Sequence, residues 1–321
     1  MSDTLLHIED LQVTFFSKLG PLHAVDGISY SVEKGKTLGL VGESGCGKSV
    51  TSFSIMGLLD PPGQVTRGKI LFNDVDLTQC SEQDLEGIRG NRIAMIFQEP
   101  MTALNPVFTI GFQIDEQILR HEKVSKAEAR KRSIDMLDVV GIPSPEKRYT
   151  NYPHQLSGGM RQRAMIAMAL SCHPDFLIAD EPTTAIDVTI QSQILELMQS
   201  LQDQYHMTVQ FITHDLGVIS ELADHVVVMY AGKICEIADS DTLFNRPKHP
   251  YTYGLIESIP RRGRRVKNLY SIPGTVVSLL EIPEGCRFQN RCPHVMDVCR
   301  EHAPQLETLE DGHSVACFNM I

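Results

Sequence analysis

Gly42-Glu43-Ser44-Gly45-Cys46-Gly47-Lys48-Ser49 fits the pattern G-x-x-x-x-G-K-[ST], the spacing of a loop that cradles phosphate. Before it, Thr37-Leu38-Gly39-Leu40-Val41 is a short apolar run that reads as a buried strand. After it, Val50 to Leu59 reads as a helix, stopped by Asp60-Pro61-Pro62. Three glycines let the backbone curl so that successive N–H groups face one hollow, to which the helix N-terminus adds its positive end. Lys48 can reach the β- and γ-phosphates, and the Ser49 hydroxyl can ligate Mg²⁺. A glycine-rich turn that binds nothing is the alternative, and the flanking strand and helix argue against it.

The 321 residues leave room for roughly two domains. A formal charge of −11 argues against a nucleic-acid-binding surface, so no nucleic-acid partner is expected. Apolar runs such as Val226-Val227-Val228-Met229 are too short to span a bilayer, and Met1-Ser2-Asp3-Thr4 lacks the design of a secretory signal. The expected location is cytoplasmic, with membrane contact made through a partner. In that reducing compartment the eight cysteines do not read as disulfides.

Leu6 to Phe16 alternates as a half-buried strand does, and Ala24 to Val32 and Lys69 to Phe72 read similarly. Phe15 or Phe16 could stack on a flat base; either could equally belong to the core. Ile93 to Phe97 is a further strand, ending on Gln98-Glu99-Pro100. From Gly111 to Val140 the character is helical, with a capping box at Ser125-x-x-Glu128 and an apolar stripe of Ala129, Ile134, Leu137 and Val140. Ser157-Gly158-Gly159 opens a helix over Arg161 to Leu170 and forms a second candidate phosphate site. Phe176 to Ala179 is a buried strand ending in Asp180-Glu181, where one acid could hold Mg²⁺ and its neighbour could orient water. Val209 to Thr213 delivers His214 in the same way; a lone histidine there is more often structural.

With the phosphate loop, Gln98, Leu156-Ser157-Gly158-Gly159-Met160, Asp180-Glu181 and His214 in this order, residues 5 to 240 resemble the nucleotide-binding subunit of an ABC transporter. The Ser-Gly-Gly signature discriminates, because other families with the phosphate loop lack it. The resemblance implies that Gly42, Glu43, Ser44, Gly45, Cys46, Gly47, Lys48 and Ser49 form Walker A and bind ATP. It makes Gln98 the Q-loop glutamine near Mg²⁺, Asp180 the Walker B aspartate, Glu181 the catalytic carboxylate and His214 the switch histidine at the γ-phosphate. Ser49, Gln98 and Asp180 would serve Mg²⁺, and Phe15 would stack on adenine, with Phe16 in reserve. Ser157, Gly158 and Gly159 would cap the γ-phosphate held by a partner's loop. The D-loop reads Thr184-Ala185-Ile186-Asp187, with isoleucine where leucine is usual and Asp187 retained. Cys46 reads as a spacer, not a nucleophile.

Lys248-His249-Pro250-Tyr251-Thr252-Tyr253-Gly254-Leu255, then Ser258-Ile259-Pro260-Arg261, resembles the C-terminal extension of the peptide and nickel importer branch, nearest to dipeptide and oligopeptide permease subunits that end in a cysteine cluster. Arg261-Arg262-Gly263-Arg264-Arg265 reads as a solvated linker. Cys286, Cys292, Cys299 and Cys317, with gaps of five, six and seventeen residues, suit soft-metal ligation, and spacing alone leaves iron–sulfur and zinc both open. The family likeness favours a [4Fe–4S] cluster, with zinc as the alternative.

The fold expected is an α/β phosphate-loop ATPase core with an antiparallel β-subdomain, a helical subdomain near residues 90–165, and a small cysteine-bearing C-terminal domain. The division expected is 1–240 and 241–321. The activity implied is ATP hydrolysis energising a di- or oligopeptide importer from the cytoplasmic face of the membrane. Implied partners are a second ATPase subunit, two transmembrane permease subunits and an extracellular or periplasmic peptide-binding protein. Import of nickel or another small solute, or peptide export, is the nearer rival. A soluble ABC ATPase of DNA repair or translation is the distant one, since it would carry a coiled-coil insertion or tandem nucleotide domains.

Overall fold

The computed structural model describes the chain except residues 1–2, 19, 184–187, 260–269 and 311. Two compact units emerge, one of residues 1–79 with 211–321 and one of residues 80–210.

In the first unit, β1 (Thr4–Ser17), β2 (Gly20–Glu33), β4 (Gly63–Phe72) and β5 (Val75–Asp76) form an antiparallel sheet in the order β2-β1-β4-β5. The alternation read from the sequence is what pairs Leu6 with Val32 and Val13 with Val25 on its buried face. A second sheet holds β3 (Thr37–Val41) parallel to β9 (His225–Tyr230), and β9 antiparallel to β10 (Lys233–Asp239). Every residue of β3 is buried, as its unbroken apolar run requires of a parallel strand covered on both faces. β11 (Glu307–Thr308) and β12 (Ser314–Val315) extend this sheet beyond β10, with Glu236 opposite Val315. Residues 241–259, 270–310 and 312–321 lie in the same compact unit as β1–β5, and β12 adds a strand to β10. Helices α1 (Lys48–Met56), α9 (Leu216–Leu222), α10 (Ser240–Asn245), α11 (Pro250–Glu257) and α12 (Asp297–Glu301) complete the unit. The first of these ends at Gly57 in the left-handed conformation, before the prolines expected to stop it.

In the second unit, β6 (Ile93–Ile96) pairs in parallel with β7 (Phe176–Asp180), Ile93 opposite Phe176. Its helices are α2 (Glu82–Ile88), α3 (Pro100–Ala103), α4 (Ile110–His121), α5 (Lys126–Val139), α6 (Pro145–Tyr149), α7 (Gly158–Leu170) and α8 (Val188–Tyr205). The helical stretch expected over 111–140 is two helices. Ser125 Oγ accepts from the Glu128 N–H at 3.2 Å to start α5, and Arg132 pairs with Glu122 at 2.5 Å across the break. The buried face of α5 also turns slightly from the expected stripe. Ser133 is fully buried and Ile134 only half so, because the Ser133 hydroxyl donates to Asp115 at 2.6 Å.

Candidate functional site

β3 delivers the chain to Gly42, where φ is 149° and a Cβ would stand 2.2 Å from the Met229 carbonyl oxygen; only glycine lets the loop press so close to β9. Gly47, at φ 105°, caps α1 with no side-chain acceptor over the helix end and no acid in the first turn. That leaves the positive end of α1 suited to an anion. Lys48 is buried and folds over the loop, its Nζ donating to the Gly42 carbonyl at 2.7 Å and the Glu43 carbonyl at 3.1 Å. Ser44 and Gly45 are exposed and Ser49 half-buried. Burial pushes the Cys46 thiol up in spite of Lys48 beside it, so it stays protonated, in keeping with a spacer. Phe15 is half-buried with its ring against Gly63, while Phe16 is 52% exposed. His214 is exposed at the end of β8 (Thr208–Thr213), and the next residue, Asp215, caps α9 through the Gly217 N–H at 2.9 Å.

The second unit places Asp180 at the buried end of β7 and Glu181 just beyond it, at φ 45°. A left-handed glutamate is an uncommon conformation of the kind that collects at functional sites. Gln98, exposed after β6, donates through Nε2 to Glu181 at 2.9 Å, so the parallel pair β6–β7 brings these two expected site residues together. Ser157 Oγ accepts from the Met160 N–H at 3.4 Å and caps α7. Ser157 and Gly158 are exposed, a Cβ on Gly158 would meet nothing within 4 Å, and Gly159 lies against Ile190. Asp187 and the rest of Thr184 to Asp187 lie outside the described residues, as does the run Arg261 to Arg265.

Cys286, Cys292, Cys299 and Cys317 line one small cavity, together with His249, Phe288 and Gln289. Burial pushes the Cys286 and Cys292 thiols up and Cys317 to about 11, while backbone N–H groups pull the other way, among them Asn319 N–H donating to Cys317 Sγ at 3.4 Å. Among the described residues, no group of three or more His, Cys, Asp or Glu side chains converges as a single metal ion requires. The surrounding segment is fastened to the sheets. Arg287 pairs with Asp26, and Phe288 meets Tyr230 and Tyr251 edge-on or tilted, with centroids 5.3 Å apart. Glu236, fully buried on β10, accepts from the Lys248 N–H at 2.6 Å, the His249 N–H at 3.0 Å and His313 Nε2 at 2.6 Å. Burial holds the His249 imidazole down at about 4, so its neutral Nδ1 accepts from the Tyr251 N–H at 3.0 Å.

Residues 25–184 match the family model for the ABC transporter, and residues 235–299 match that for the oligopeptide/dipeptide transporter C-terminal region. The oligopeptide transport ATP-binding protein AppD of Bacillus subtilis is 52% identical over 98% of this chain and 96% of its own length. The chain is an ABC transporter ATP-binding subunit of the oligopeptide and dipeptide type. The dipeptide transport ATP-binding protein DppD of Escherichia coli is similar at 49% identity, over 98% of this chain and 96% of that one. In fold, the chain matches a dimeric ATP-binding cassette solved in a post-hydrolysis state with ADP and Pi, at a TM-score of 0.66 and 24% identity, over 73% of this chain and 98% of that one. It also matches cbiO1 of Clostridium perfringens, at 0.64 and 27% identity, over 76% and 92%. The subunit hydrolyses ATP.

Two residues of this ABC subunit that touch the phosphate loop were not singled out by sequence reasoning. Tyr251 accepts the Glu43 N–H at 2.9 Å, and Arg291 grips the Glu43 carboxylate at 2.5 and 3.0 Å. Tyr251 lies inside the stretch that carries the family likeness. Arg291 sits beside Cys292 and carries no signal of its own.

Proposed function

We infer that this subunit energises import of di- or oligopeptides, working as a peripheral protein on the cytoplasmic face of the membrane. The observation that carries this reading is the peptide-transporter C-terminal match over 235–299, joined to near-full-length likeness to peptide-transport ATP-binding proteins. Among the described residues no helix is long and apolar enough to cross a membrane, so coupling falls to permease subunits. Residues 1–240 would carry the ATPase and 241–321 the transporter-specific extension. A second ATPase subunit, two permease subunits and a peptide-binding protein outside the membrane complete the complex. In the assembled complex, peptide-loaded binding protein should stimulate ATP hydrolysis. Stimulation by a nickel-loaded or other solute-loaded binding protein, with none from the peptide form, would transfer the substrate to the rival class.

For hydrolysis, the residues of Gly42 to Ser49 bind the phosphates, Lys48 neutralises developing charge, and Phe15 stacks on the adenine. Glu181 orients water and accepts its proton, with Gln98 holding the carboxylate and His214 sensing the γ-phosphate. Ser49, Gln98 and Asp180 would hold Mg²⁺, which would supply positive charge to offset that of the phosphates. Ser157, Gly158, Gly159 and Asp187 serve the closed pair of subunits, in which each signature faces the nucleotide on the other chain. Closure transmits force because ATP favours the closed state over the open one.

Cys286, Cys292, Cys299 and Cys317 would hold a [4Fe–4S] cluster. Supporting this, the four thiols surround one cavity, and Gln289 presents a buried Nε2 with no hydrogen-bond partner on its lining. Such a donor suits the sulfur charge of a bound cluster. The group's contribution is structural: it ties together turns that have little apolar core of their own. Protein purified anaerobically should be brown, with about four irons per chain, and Cys292→Ser should bleach it. Colourless protein with one zinc and no iron would reject the cluster and leave a four-cysteine zinc site.

A further inference from the structure

We propose that Arg291 is a positioning residue for the nucleotide cradle, acting through Glu43 with help from Tyr251, so that the cysteine-bearing segment sets the affinity of the phosphate loop for ATP. The proposal rests on the reading of Gly42 to Ser49 as the ATP site.

The geometry identifies which partner is fixed. The Arg291 side chain is only 4% exposed against 30% for Glu43. Its Nε donates to the Pro273 carbonyl at 3.0 Å, and its guanidinium lies 5.7 Å from the Tyr230 ring centroid and 6.0 Å from that of Phe288. A planar guanidinium clamped on three sides presents a rigid fork, and the two oxygens of Glu43 meet that fork, at 2.5 and 3.0 Å. Tyr251, fully buried and edge-on to Tyr230 at 4.8 Å, holds the other side of the same residue by accepting its N–H. Glu43 is therefore seized by both side chain and backbone.

What is seized matters to phosphate binding in two ways. The Glu43 carbonyl is one of two that receive Lys48 Nζ, so the placement of Glu43 bears on the ammonium through a single residue. The Glu43 carboxylate also stands in the second position of a loop that takes a polyanion. Unpaired, it would repel the phosphates; paired with Arg291, that charge is offset. A solvated surface ion pair would do little of this, but a pair with one partner almost wholly buried is screened much less.

The test uses the full chain and a fluorescent ATP analogue, with the dissociation constant read well below the melting temperature of each variant. Arg291→Met keeps the bulk and removes the fork; it should raise the dissociation constant on the order of tenfold, within the usual range for coupled sites. In a Glu43→Ala background, Arg291→Met should add little further, because the link is already cut. Tyr251→Phe, which deletes one hydroxyl and opens no cavity, should weaken binding by a few fold in the same direction. An unchanged dissociation constant in folded Arg291→Met overturns the proposal, as does an equal penalty with and without Glu43. Should Arg291→Met fail to fold, Tyr251→Phe decides: weaker binding sustains the proposal, and wild-type affinity rejects it. Lys48→Ala separates the two levels, since unaltered affinity there would discard the phosphate-loop reading itself.

Discussion

Glu181→Gln should bind ATP and lose hydrolysis by roughly 10²–10⁴-fold, the scale expected if Glu181 is the positioned acid–base group. The amide fills the same space and can still meet Gln98, which donates to this side chain at 2.9 Å. It cannot take a proton from water. The backbone at Glu181 is left-handed, φ 45°, a conformation uncommon for a glutamate. Single-turnover hydrolysis and equilibrium nucleotide binding, measured on the same preparation, check it. Near-normal turnover in Glu181→Gln would falsify the assignment of the catalytic carboxylate. Lys48→Ala should differ in kind: with Lys48 read as part of the phosphate-binding loop, affinity should fall together with rate.

The second large effect concerns a residue that should act on another subunit. Ser157→Arg, built into an otherwise intact complex, should leave ATP binding at this chain's own phosphate loop close to wild type. Hydrolysis at the partner's loop should fall on the order of 10²-fold, as when one donor to developing charge is removed. Ser157 and Gly158 are exposed at the N-terminus of α7, where an incoming phosphate would meet the positive helix end. Arginine there fills the approach and also removes the α7 cap, worth about 1 kcal/mol. The cap loss is checked by thermal melting, so that instability is not mistaken for lost activity. Mixed complexes with one mutant and one wild-type signature locate the effect. If the loss falls on the mutated chain's own nucleotide, the two signatures do not work across the pair.

How much could be read beforehand depended on whether the physics was local. Gly42 and Gly47 are demanded by backbone angles and by the closeness of Met229, so the loop is visible from spacing alone. The buried strands β3 and β7 show as apolar runs, since both faces must be covered. The split between α4 and α5 was half legible: the Ser125 cap announced a start, but the break needed the Glu122–Arg132 pair to be seen. Ser133 was missed because a polar residue enters a core only with a partner, and Asp115 lies eighteen residues away. Arg291 and Glu43 stand 248 residues apart, and nothing in either neighbourhood implies the other. The same holds for the end of the chain. There β12 lies on β10, a pairing that no local pattern announces.

Glu236 has a consequence for how this chain can vary. It receives Lys248 and His249 from one side and His313 from the other, so both ends of the intervening stretch are pinned to one buried carboxylate. In polymer terms that stretch is a closed loop whose closure is secured at its base. The entropy of such a loop grows only as the logarithm of its length, so doubling it costs about 0.6 kcal/mol. Insertions and deletions between positions 249 and 313 are therefore cheap only at exposed turns that spare the cysteines, Tyr251, Arg287, Phe288 and Arg291. The carboxylate at the base has no such latitude, because it is fully buried and holds Lys248, His249 and His313 at once.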